Sequence, residues 1–359
     1  MATKALYVTS CQRSAGKTAV CLALGRRLQQ EGRSVGYFKP ISIDPWRMAA
    51  SGVYDEDAEF VRRTLGLAEP VKELVGVVLT PSLIDEMRCG SVDRNLVAEV
   101  KAAYTRVAAD KDFVLLEGGT SLWEGLSLNV HPLKVAEELD VPILSIIRFV
   151  DRINVADTCV ATQAEFGDRL AGEFVNAVPE DCLSALEEIC RPSWEDRGIA
   201  ILGAMPLRPR LEAISVRELV DVLDGEFLAL PEKMDMLIEH FVVGAMSVHQ
   251  ALPRMRRIAG AKAVITGGDR ADIQLAAVET AAKCLILTGY LRPAPEILYR
   301  AEDAGIPVIS VHHNTLETVE AIQEVFGKTR LGLKAKLEEF ETLFSNHFDY
   351  SRLYQRLGL

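Results

Sequence analysis

The chain has 359 residues, of which 49% are hydrophobic and 25% are charged. This length and apolar content predict two domains, each with a sizeable buried core. The formal net charge of −11 argues against nucleic acid or an anionic membrane as a partner. The seven cysteines are scattered without a Cys-x-x-Cys pair, which favours reduced thiols over a disulfide framework or a zinc site.

The first residues, Met-Ala-Thr-Lys, lead directly into an apolar run, so we expect no signal peptide. No apolar run reaches the roughly 18 residues that a membrane-spanning helix needs. We therefore expect a cytoplasmic protein with no membrane partner.

The first apolar run, Ala5–Thr9, is followed by a short loop and then by Gly16, Lys17 and Thr18 at the start of an amphipathic stretch. A strand, a loop and a helix in this order are typical of a phosphate-binding P-loop. Lys17 would neutralise the β- and γ-phosphate oxygens of ATP, and Thr18 would offer its hydroxyl to Mg²⁺. The loop residues expected to face the phosphates are Gln12, Arg13, Ser14 and Ala15.

The loop departs from G-x-x-x-x-G-K-[ST] at its first position, where Cys11 replaces glycine. Its shape must therefore differ, and a simple structural turn between strand and helix is the alternative interpretation. The same tripeptide at Gly327–Thr329 follows the helical run Thr315–Phe326, so there we interpret the glycine as a helix C-cap. The strand-loop-helix context favours a nucleotide site at the first copy only.

Short apolar runs alternate with helical stretches through the first part of the chain, which predicts an α/β fold with a parallel sheet of the P-loop NTPase type and helices on both faces. The pattern then restarts as a smaller α/β unit, followed by a helical C-terminal tail. We place the domains at 1–211, 212–328 and 329–359. The predicted strands are Ala5–Thr9, Ser34–Phe38, Phe113–Leu116, Ile143–Ile147, Gly172–Val175, Ile199–Gly203, Lys262–Ile265, Cys284–Leu287 and Val308–Ser310.

Three charged residues lie where strands of the first unit end, which is where ligands bind in such sheets. Lys39 follows the second strand and points into the ligand crevice or is a solvated lysine. Asp57 caps the next helix or binds Mg²⁺. Glu117 ends a buried strand in a Walker B-like position, and a metal is favoured because an uncompensated buried carboxylate is costly.

The smaller unit has its own glycine loop between a strand and a helix. Two interpretations are open for it: an anion-binding nest with Arg270 as partner, or a tight turn in which Asp269 or Asp272 caps the helix. His312 and His313 are adjacent and would point to opposite faces of a strand, so we expect no metal pair there. The residues of this possible effector loop are Thr266, Gly267, Gly268, Asp269 and Arg270.

Together these motifs resemble those of dethiobiotin synthetase: a P-loop, a strand ending Lys39-Pro40, Asp57-Ala58, and a strand ending in Glu117 with glycines. The resemblance continues at Ile153-Asn154, Phe174–Val178 and Leu202–Pro206. It implies that Lys17 and Lys39 are catalytic and that Thr18, Asp57 and Glu117 bind Mg²⁺. It also implies that Asn176 contacts adenine, that Pro206 lies at the nucleotide, and that the protein is a homodimer.

From about residue 213 the chain resembles a DRTGG domain, with Ile265–Gln274 as the core of the likeness. The combination, including 326–332, resembles the N-terminal region of long phosphate acetyltransferases, and we expect it here as a free-standing protein. Where the synthetase loop carries Gly-Thr-Asp-Thr, this chain has Ser10-Cys-Gln-Arg13, so Arg13 adds a positive charge beside the phosphates.

Two functions are compatible with these residues. The first is an Mg-ATP-dependent synthetase or ligase that activates a small carboxylate or carbamate for capture by an amine. The second is a nucleotide-responsive regulatory module whose second domain binds an anionic effector or a partner. The altered loop favours the second function, and the intact lysine, threonine and carboxylate set favours the first.

Overall fold

The structure is a computed structural model that describes residues 3–43, 46–49, 52–325 and 334–359. Two compact units divide the chain, one formed by Met1–Leu207 with Leu331–Leu359 and the other by Arg208–Arg330. This division falls close to the expected boundary at 211, but the C-terminal helices group with the first unit. The Gly327–Thr329 string and the expected boundary at 328 lie outside the described residues.

The first unit is built on a seven-stranded parallel sheet in the order β5-β2-β6-β1-β7-β8-β9. A separate antiparallel hairpin, β3–β4, lies outside this sheet. The elements are β1 (Lys4–Thr9), α1 (Lys17–Gln30), β2 (Val35–Ser42), β3 (Trp46–Ala49), β4 (Gly52–Tyr54), α2 (Glu56–Leu65), β5 (Val75–Val78), α3 (Pro81–Arg88), α4 (Leu96–Ala108), β6 (Phe113–Glu117), α5 (Pro132–Leu139), β7 (Ile143–Arg148), α6 (Arg152–Phe166), β8 (Leu170–Val178), α7 (Glu180–Ala185), α8 (Arg191–Glu195) and β9 (Ile201–Pro206).

Helices cover both faces of this sheet, as strand register shows. Glu117 contacts Thr18 of α1 and is paired in register with Val8 of β1. Glu173 contacts Thr162 of α6 and is in register, through β7, with Thr9. Because Val8 and Thr9 are consecutive in a strand, their side chains point to opposite faces, and so α1 and α6 lie on opposite faces. The predicted α/β fold class is confirmed.

The second unit has a five-stranded sheet in the order β11-β16-β15-β14-β13, in which only β11 is antiparallel to its neighbour. A two-stranded pair, β10–β12, accompanies it. The elements are α9 (Pro209–Glu212), β10 (Ile214–Ser215), α10 (Val216–Leu223), β11 (Glu226–Ala229), β12 (Leu237–Ile238), β13 (His240–Val243), α11 (Val248–Arg257), β14 (Lys262–Gly267), α12 (Ala271–Glu279), β15 (Cys284–Thr288), α13 (Pro295–Asp303), β16 (Val308–Ser310) and α14 (Thr315–Val325).

The C-terminal helices α15 (Lys334–His347) and α16 (Tyr350–Leu357) pack on the first unit. Phe174 of β8 meets Phe344 edge-to-face, with ring centroids 5.0 Å apart. Gly203 of β9 has φ +139, and a Cβ there would come within 1.8 Å of the His347 carbonyl oxygen. Only glycine allows this approach, so β9 is adapted to hold the C-terminal helices. The predicted helical tail is therefore part of the first unit's packing.

All seven cysteines are free thiols in the structure. Within the described part of the chain, no helix combines the length and the apolar character needed to cross a membrane.

Candidate functional site

The turn from β1 into α1 requires glycine at position 16 for two reasons. Gly16 has φ +97, which is a left-handed conformation, and it precedes the first residue of α1. A Cβ at this position would also come within 2.6 Å of Asn176 Nδ2. Ser14 has a left-handed φ of +53 as well, so the chain turns sharply twice before the helix. The loop thus brings the helix N-terminus close to the carboxyl ends of the sheet strands.

The unusual half of the loop is fixed by the side chain of Gln12. The Gln12 amide nitrogen donates to Asn154 Oδ1 at 3.2 Å, and its amide oxygen accepts from the Arg148 backbone N–H at 2.7 Å. The Gln12 backbone N–H in turn donates to Ser10 Oγ at 3.0 Å. Gln12 therefore ties the loop to β7 and α6, which explains how a loop without the first glycine keeps a defined shape.

Asn176 contacts the loop directly. It is buried at the end of β8, and its Nδ2 donates to the Ala15 carbonyl oxygen at 2.8 Å. Pro206 ends the neighbouring strand β9, paired in register with Val178. The structure thus brings Asn176 to the P-loop and Pro206 to the same edge of the sheet, whereas an adenine contact for either residue stays a prediction. Arg13 is exposed at the tip of the loop.

Lys17 is buried, with 8% of its surface exposed, and within the described residues its ammonium group has no hydrogen-bond or ion-pair partner. Burial lowers its pKa, while Glu117 opposes this shift and Lys39 adds to it. Burying an ammonium group without a direct ion pair is costly, and the nearby carboxylate of Glu117 offsets that cost only in part. An anionic ligand at the loop would remove this cost.

Thr18 and Glu117 are in direct contact. The Thr18 hydroxyl donates to Glu117 Oε1 at 2.6 Å, and the Tyr37 hydroxyl donates to Oε2 at 2.8 Å. Glu117 is almost fully buried, and burial raises its pKa, with Lys39 opposing that shift. A hydroxyl and a buried carboxylate side by side suit a hard divalent cation. Two of the three predicted Mg²⁺ ligands are therefore together.

The third predicted ligand, Asp57, lies instead on Lys39. The Lys39 ammonium group is 2.8 Å from Asp55 Oδ2 and 3.1 Å from Asp57 Oδ2. Asp55, not Asp57, is the N-cap of α2, accepting from the Ala58 N–H at 2.9 Å. Burial acts to lower the pKa of Lys39, but Asp57, Asp55 and Glu117 outweigh it and raise the pKa above its ordinary range. Lys39 is thus a firmly charged, paired lysine, not a solvated one.

The strand β2 also extends further than its sequence indicates. It runs to Ser42, because Val35–Phe38 pairs with β6 and Lys39–Ser42 pairs with β5. Pro40, which has no N–H, lies just past the last residue paired with β6. Lys39 is therefore within the strand at a change of neighbours and is held more rigidly than a strand-end residue.

Glu124 is a residue of the site that the sequence pattern did not indicate. Its Oε2 accepts from the Thr120 N–H at 2.6 Å and from the Thr120 hydroxyl at 2.9 Å, while its buried Oε1 has no partner among the described residues. A Cβ on Gly119 would come within 2.0 Å of Glu124 Oε1, so this glycine makes room for the carboxylate. The available signal was a glutamate shortly after a glycine pair, which is indistinguishable from an ordinary loop residue.

Four carboxylates lie near the two buried lysines of the site, Lys17 and Lys39. Together with these lysines, two guanidinium groups balance them in formal charge: Arg13 in the loop, and Arg148, which donates to the Ser14 carbonyl oxygen at 3.4 Å. Within the described residues, no group of three or more His, Cys, Asp or Glu side chains is arranged to hold a metal by itself. A divalent cation would therefore need ligand oxygens in addition to Thr18 and Glu117, as Mg²⁺ has when it binds with phosphates. The four carboxylates are Asp55, Asp57, Glu117 and Glu124.

The candidate effector loop of the second unit differs, because its charge is already paired. Arg270 donates to both oxygens of Asp272 at 3.0 Å and to the Met246 carbonyl oxygen at 3.0 Å. Thr266 is buried, and a Cβ on Gly267 would come within 2.4 Å of Asp269 Oδ1. The structure places Thr266–Arg270 together at one strand end, where the Arg270 N–H donates to the Gly267 carbonyl oxygen at 3.1 Å in a tight turn. The expectation that Asp269 or Asp272 caps the helix is wrong, because the N-cap of α12 is Arg270 and no side chain accepts a cap hydrogen bond there. The anion nest stays a prediction.

The fold, with its strand, phosphate-type loop and helix at the carboxyl edge of a parallel sheet, defines a P-loop α/β protein. Residues 4–215 match the family model of an AAA domain, which is more than half of the chain, and residues 218–325 match the DRTGG domain. The chain belongs to this AAA domain family and carries a DRTGG domain after it. The resemblance inferred from the motifs is confirmed.

The relatives divide according to how much of this chain they cover. A phosphate acetyltransferase of Synechocystis sp. is 23% identical over 99% of the chain and 52% of its own length. An ATP-dependent dethiobiotin synthetase of Clostridium perfringens is 23% identical over 62% of the chain and 99% of its own length. The chain thus spans about half the length of the phosphate acetyltransferases that it matches.

Among solved structures, the chain is similar to the CBS and DRTGG domains of the regulatory region of Clostridium perfringens pyrophosphatase, solved with the activator diadenosine tetraphosphate. The identity is 27%, the TM-score is 0.27, and the match covers 32% of this chain and 46% of that one.

Proposed function

We propose that the first unit binds ATP with Mg²⁺ at the loop Ser10–Thr18. The observation that carries this proposal is Lys17, a buried ammonium group without a partner among the described residues, at the start of a helix that follows a glycine loop. The backbone amides of the loop and the positive end of α1 add to its attraction for phosphate. The AAA domain match and the synthetase relative support the same ligand.

Each side chain then has a defined task. Lys17 binds the β- and γ-phosphate oxygens, and Thr18 and Glu117 hold the metal, with Asp57 reaching it if it leaves Lys39. When bound, Mg²⁺ would neutralise charge on the phosphate oxygens during transfer. Asp55 holds Lys39 at the same edge, so that its charge is positioned beside the transferred group.

The reaction that this set supports is ATP-dependent ligation. An oxygen of a small carboxylate or carbamate attacks the γ-phosphorus, the bond to the bridging oxygen breaks, and ADP leaves. The resulting mixed anhydride is attacked at carbon by an amine, which forms the new C–N bond and releases inorganic phosphate and a proton. Lys17 and Lys39 would stabilise the charge of the first step.

A second candidate is a nucleotide-responsive regulatory module without turnover. Two features favour it: Lys39 is already paired with two aspartates, and Gln12 fixes the loop from within the protein. The relatives that match nearly the whole chain are phosphate acetyltransferases, so such a module would act in acetate metabolism through its DRTGG domain. A homodimer, implied by the synthetase resemblance, is compatible with both candidates and is tested by sedimentation.

The decisive experiment combines calorimetry with a turnover assay on the full chain. We expect Mg-ATP to bind, and to bind more weakly when EDTA replaces Mg²⁺. Phosphate release is then followed with a panel of carboxylates, amines and bicarbonate. Release that depends on one compound supports the ligase, whereas tight binding without release under any condition supports the module. If ATP does not bind at all, the P-loop assignment is wrong.

A further inference from the structure

The second unit has a carboxyl edge that the proposed function does not use. Four parallel strands, β13 to β16, end there, and we call the loops that follow them (residues 244–247, 267–270, 289–294 and 311–314) the second edge. Ligands of open parallel sheets bind outside the carboxyl ends of the strands. The second edge is therefore where a ligand of this unit is expected.

The loops of the second edge are locked to each other. The Tyr290 N–H donates to the Val311 carbonyl and the Gly289 N–H donates to the His313 carbonyl, each at 3.0 Å. A Cβ on Gly268 would come within 1.9 Å of the Leu291 carbonyl oxygen, so the loop 267–270 is also in contact with the loop 289–294. Arg270 links the remaining loop through the Met246 carbonyl. Such an edge is pre-organised, which lowers the entropy lost when a ligand binds.

At this edge Tyr290 presents an exposed aromatic ring on a strained backbone. Its φ is +53, a left-handed conformation that a bulky residue rarely adopts. Its ring stacks on His312, with centroids 3.8 Å apart and an angle of 16° between the planes, and 49% of the residue is exposed. The strained conformation is held by the backbone hydrogen bonds of Gly289 and of Tyr290 itself, and strain of this kind is concentrated at functional sites.

Two buried polar atoms in or next to the loops of the second edge lack partners among the described residues. Gln274 is fully buried, and its Nε2 donates to the Gly267 carbonyl at 2.9 Å, but its Oε1 has no partner among the described residues. The same holds for His313 Nδ1. Buried polar atoms in folded proteins are nearly always paired. Flat rings together with unused hydrogen-bonding atoms are what a heterocyclic ligand needs.

At the start of α12 the charges of the second edge disfavour a phosphate, although the loop 289–294 also carries the exposed cation Arg292. Asp272 is in the first turn of α12 and is paired with Arg270, and Asp269 lies against Gly267. Carboxylates thus already occupy the positive end of the helix, where a phosphate would otherwise bind. We propose that the second edge binds a nucleoside, with its base stacked on the Tyr290–His312 pair and without a requirement for phosphate.

The proposal is tested by nuclear magnetic resonance with the full chain carrying Lys17→Ala, so that the P-loop does not capture the probe. The probes are adenosine, guanosine, cytidine and uridine at up to about 1 mM, the weak end of measurable affinity. We expect at least one to bind with an upfield shift of its base protons, because the base lies over an aromatic ring. Purines are expected to bind more tightly, since they stack over a larger area.

Variants at Tyr290 separate stacking from fold. Tyr290→Gly removes the ring while suiting the left-handed backbone, so the thermal midpoint should not fall, and binding should weaken by roughly 5- to 150-fold. Tyr290→Phe should retain the affinity. The matched control is Tyr299→Leu, which removes an exposed tyrosine from α13 of the same unit and should change nothing.

Four results would overturn the proposal. The first is that none of the four nucleosides binds, and the second is that binding is equally strong in Tyr290→Gly. The third is that adenosine 5′-monophosphate binds at least tenfold more tightly than adenosine and loses this advantage in Arg270→Ala or Arg292→Ala. Nucleoside binding that needs Lys17 and ignores Tyr290 would also overturn it, while supporting the P-loop site.

Discussion

The two units carry the same local plan at the carboxyl edge of a parallel sheet: a strand, a glycine loop and a helix. In the first unit this plan ends in Lys17, which is buried and has no partner among the described residues. In the second unit it ends in Arg270, which is paired with Asp272 and the Met246 carbonyl. The same backbone arrangement thus leaves a buried cation unpaired in one unit and presents a partly exposed, paired cation in the other.

This difference shows that the glycine loop alone does not define a phosphate site. Phosphate binding also requires that the cation at the loop has no carboxylate or carbonyl partner within the folded protein. A buried charge without a partner lowers the stability of the folded protein. That stability is recovered only when a ligand of opposite charge binds. We therefore expect phosphate affinity to reside in the first unit, and substitutions in the two units can test this contrast.

The largest effect is expected for Lys17→Ala. Truncation of a buried charge that contacts phosphate costs on the order of 2 to 5 kcal/mol in binding, so Mg-ATP affinity should fall at least about 30-fold. Arg270→Ala is the matched substitution in the second unit and should leave Mg-ATP affinity unchanged. Calorimetry on the full chain measures both. Equal losses in the two variants would show that the contrast between the units is wrong.

A second contrast concerns a buried polar side chain in each unit. In the first unit it is the acid Glu173, and in the second it is the neutral amide Gln274. Burial raises the pKa of Glu173 to about 7, against hydrogen bonds from Cys159 and Thr162 that lower it. Since the folded-state pKa exceeds the ordinary value of 4.5, the folded state binds the proton more tightly. Protonated Glu173 therefore contributes fully to the stability of the folded protein below pH 4.5. This contribution is lost as the pH rises from 4.5 to about 7.

Glu173→Gln should remove this pH dependence. We expect the variant to be more stable than the parent protein by roughly 2 to 3 kcal/mol at pH 8, with the difference vanishing near pH 4.5. Urea denaturation at several pH values, followed by the loss of helical signal, measures it. Glu302→Gln on the surface is the control and should show no such trend. A difference that does not change with pH would exclude titration of Glu173 in the folded protein.

The sequence predicted those features of the two glycine loops that depend on local pattern. Hydrophobic runs identified β1, β6, β14 and β15, and the position of Glu117 after a buried strand indicated a cation site. The contacts that decide availability are not local. Gln12 reaches Asn154, and Asn176 reaches Ala15 across 161 positions, which no spacing rule encodes. Sequence reasoning therefore located both glycine loops but could not tell which one retains a free charge.

Where the sequence analysis misplaced a residue by one or two positions, the predicted fold stayed correct but the predicted contacts in the site changed. In the string Asp55-Glu56-Asp57, any acidic residue is a plausible helix cap, and the structure gives this role to Asp55. Lys39 was expected at a strand end. It lies instead inside β2, at the point where the pairing of β2 changes from β6 to β5. The short strand His240–Val243 was missed because four residues carry too little periodicity. This segment becomes a strand only through its backbone pairing with β14, which exists only in the folded chain.

An intermediate effect is expected for Glu117→Gln, which keeps the shape of the side chain and removes its charge. If Glu117 binds the metal, affinity for Mg-ATP should fall roughly tenfold, while affinity for ATP in EDTA should not fall. The Thr18 hydroxyl can still donate to the amide oxygen, so the loop should keep its geometry. Calorimetry with and without Mg²⁺ separates metal binding from phosphate binding. Equal loss under both conditions would remove Glu117 from the metal site.

The smallest effect is expected for the stability of the second unit when Arg270 is replaced. The Arg270–Asp272 pair is partly exposed, with 34% and 50% of the side-chain surfaces accessible, and such pairs contribute at most about 1 kcal/mol. Arg270→Lys retains the charge but not the two-pronged contact with Asp272, so its free energy of unfolding should lie between those of the parent and Arg270→Ala. Urea denaturation measures this series. If Arg270→Ala instead destabilised the protein by several kcal/mol, the assignment of this arginine to a weak, partly exposed ion pair would be wrong.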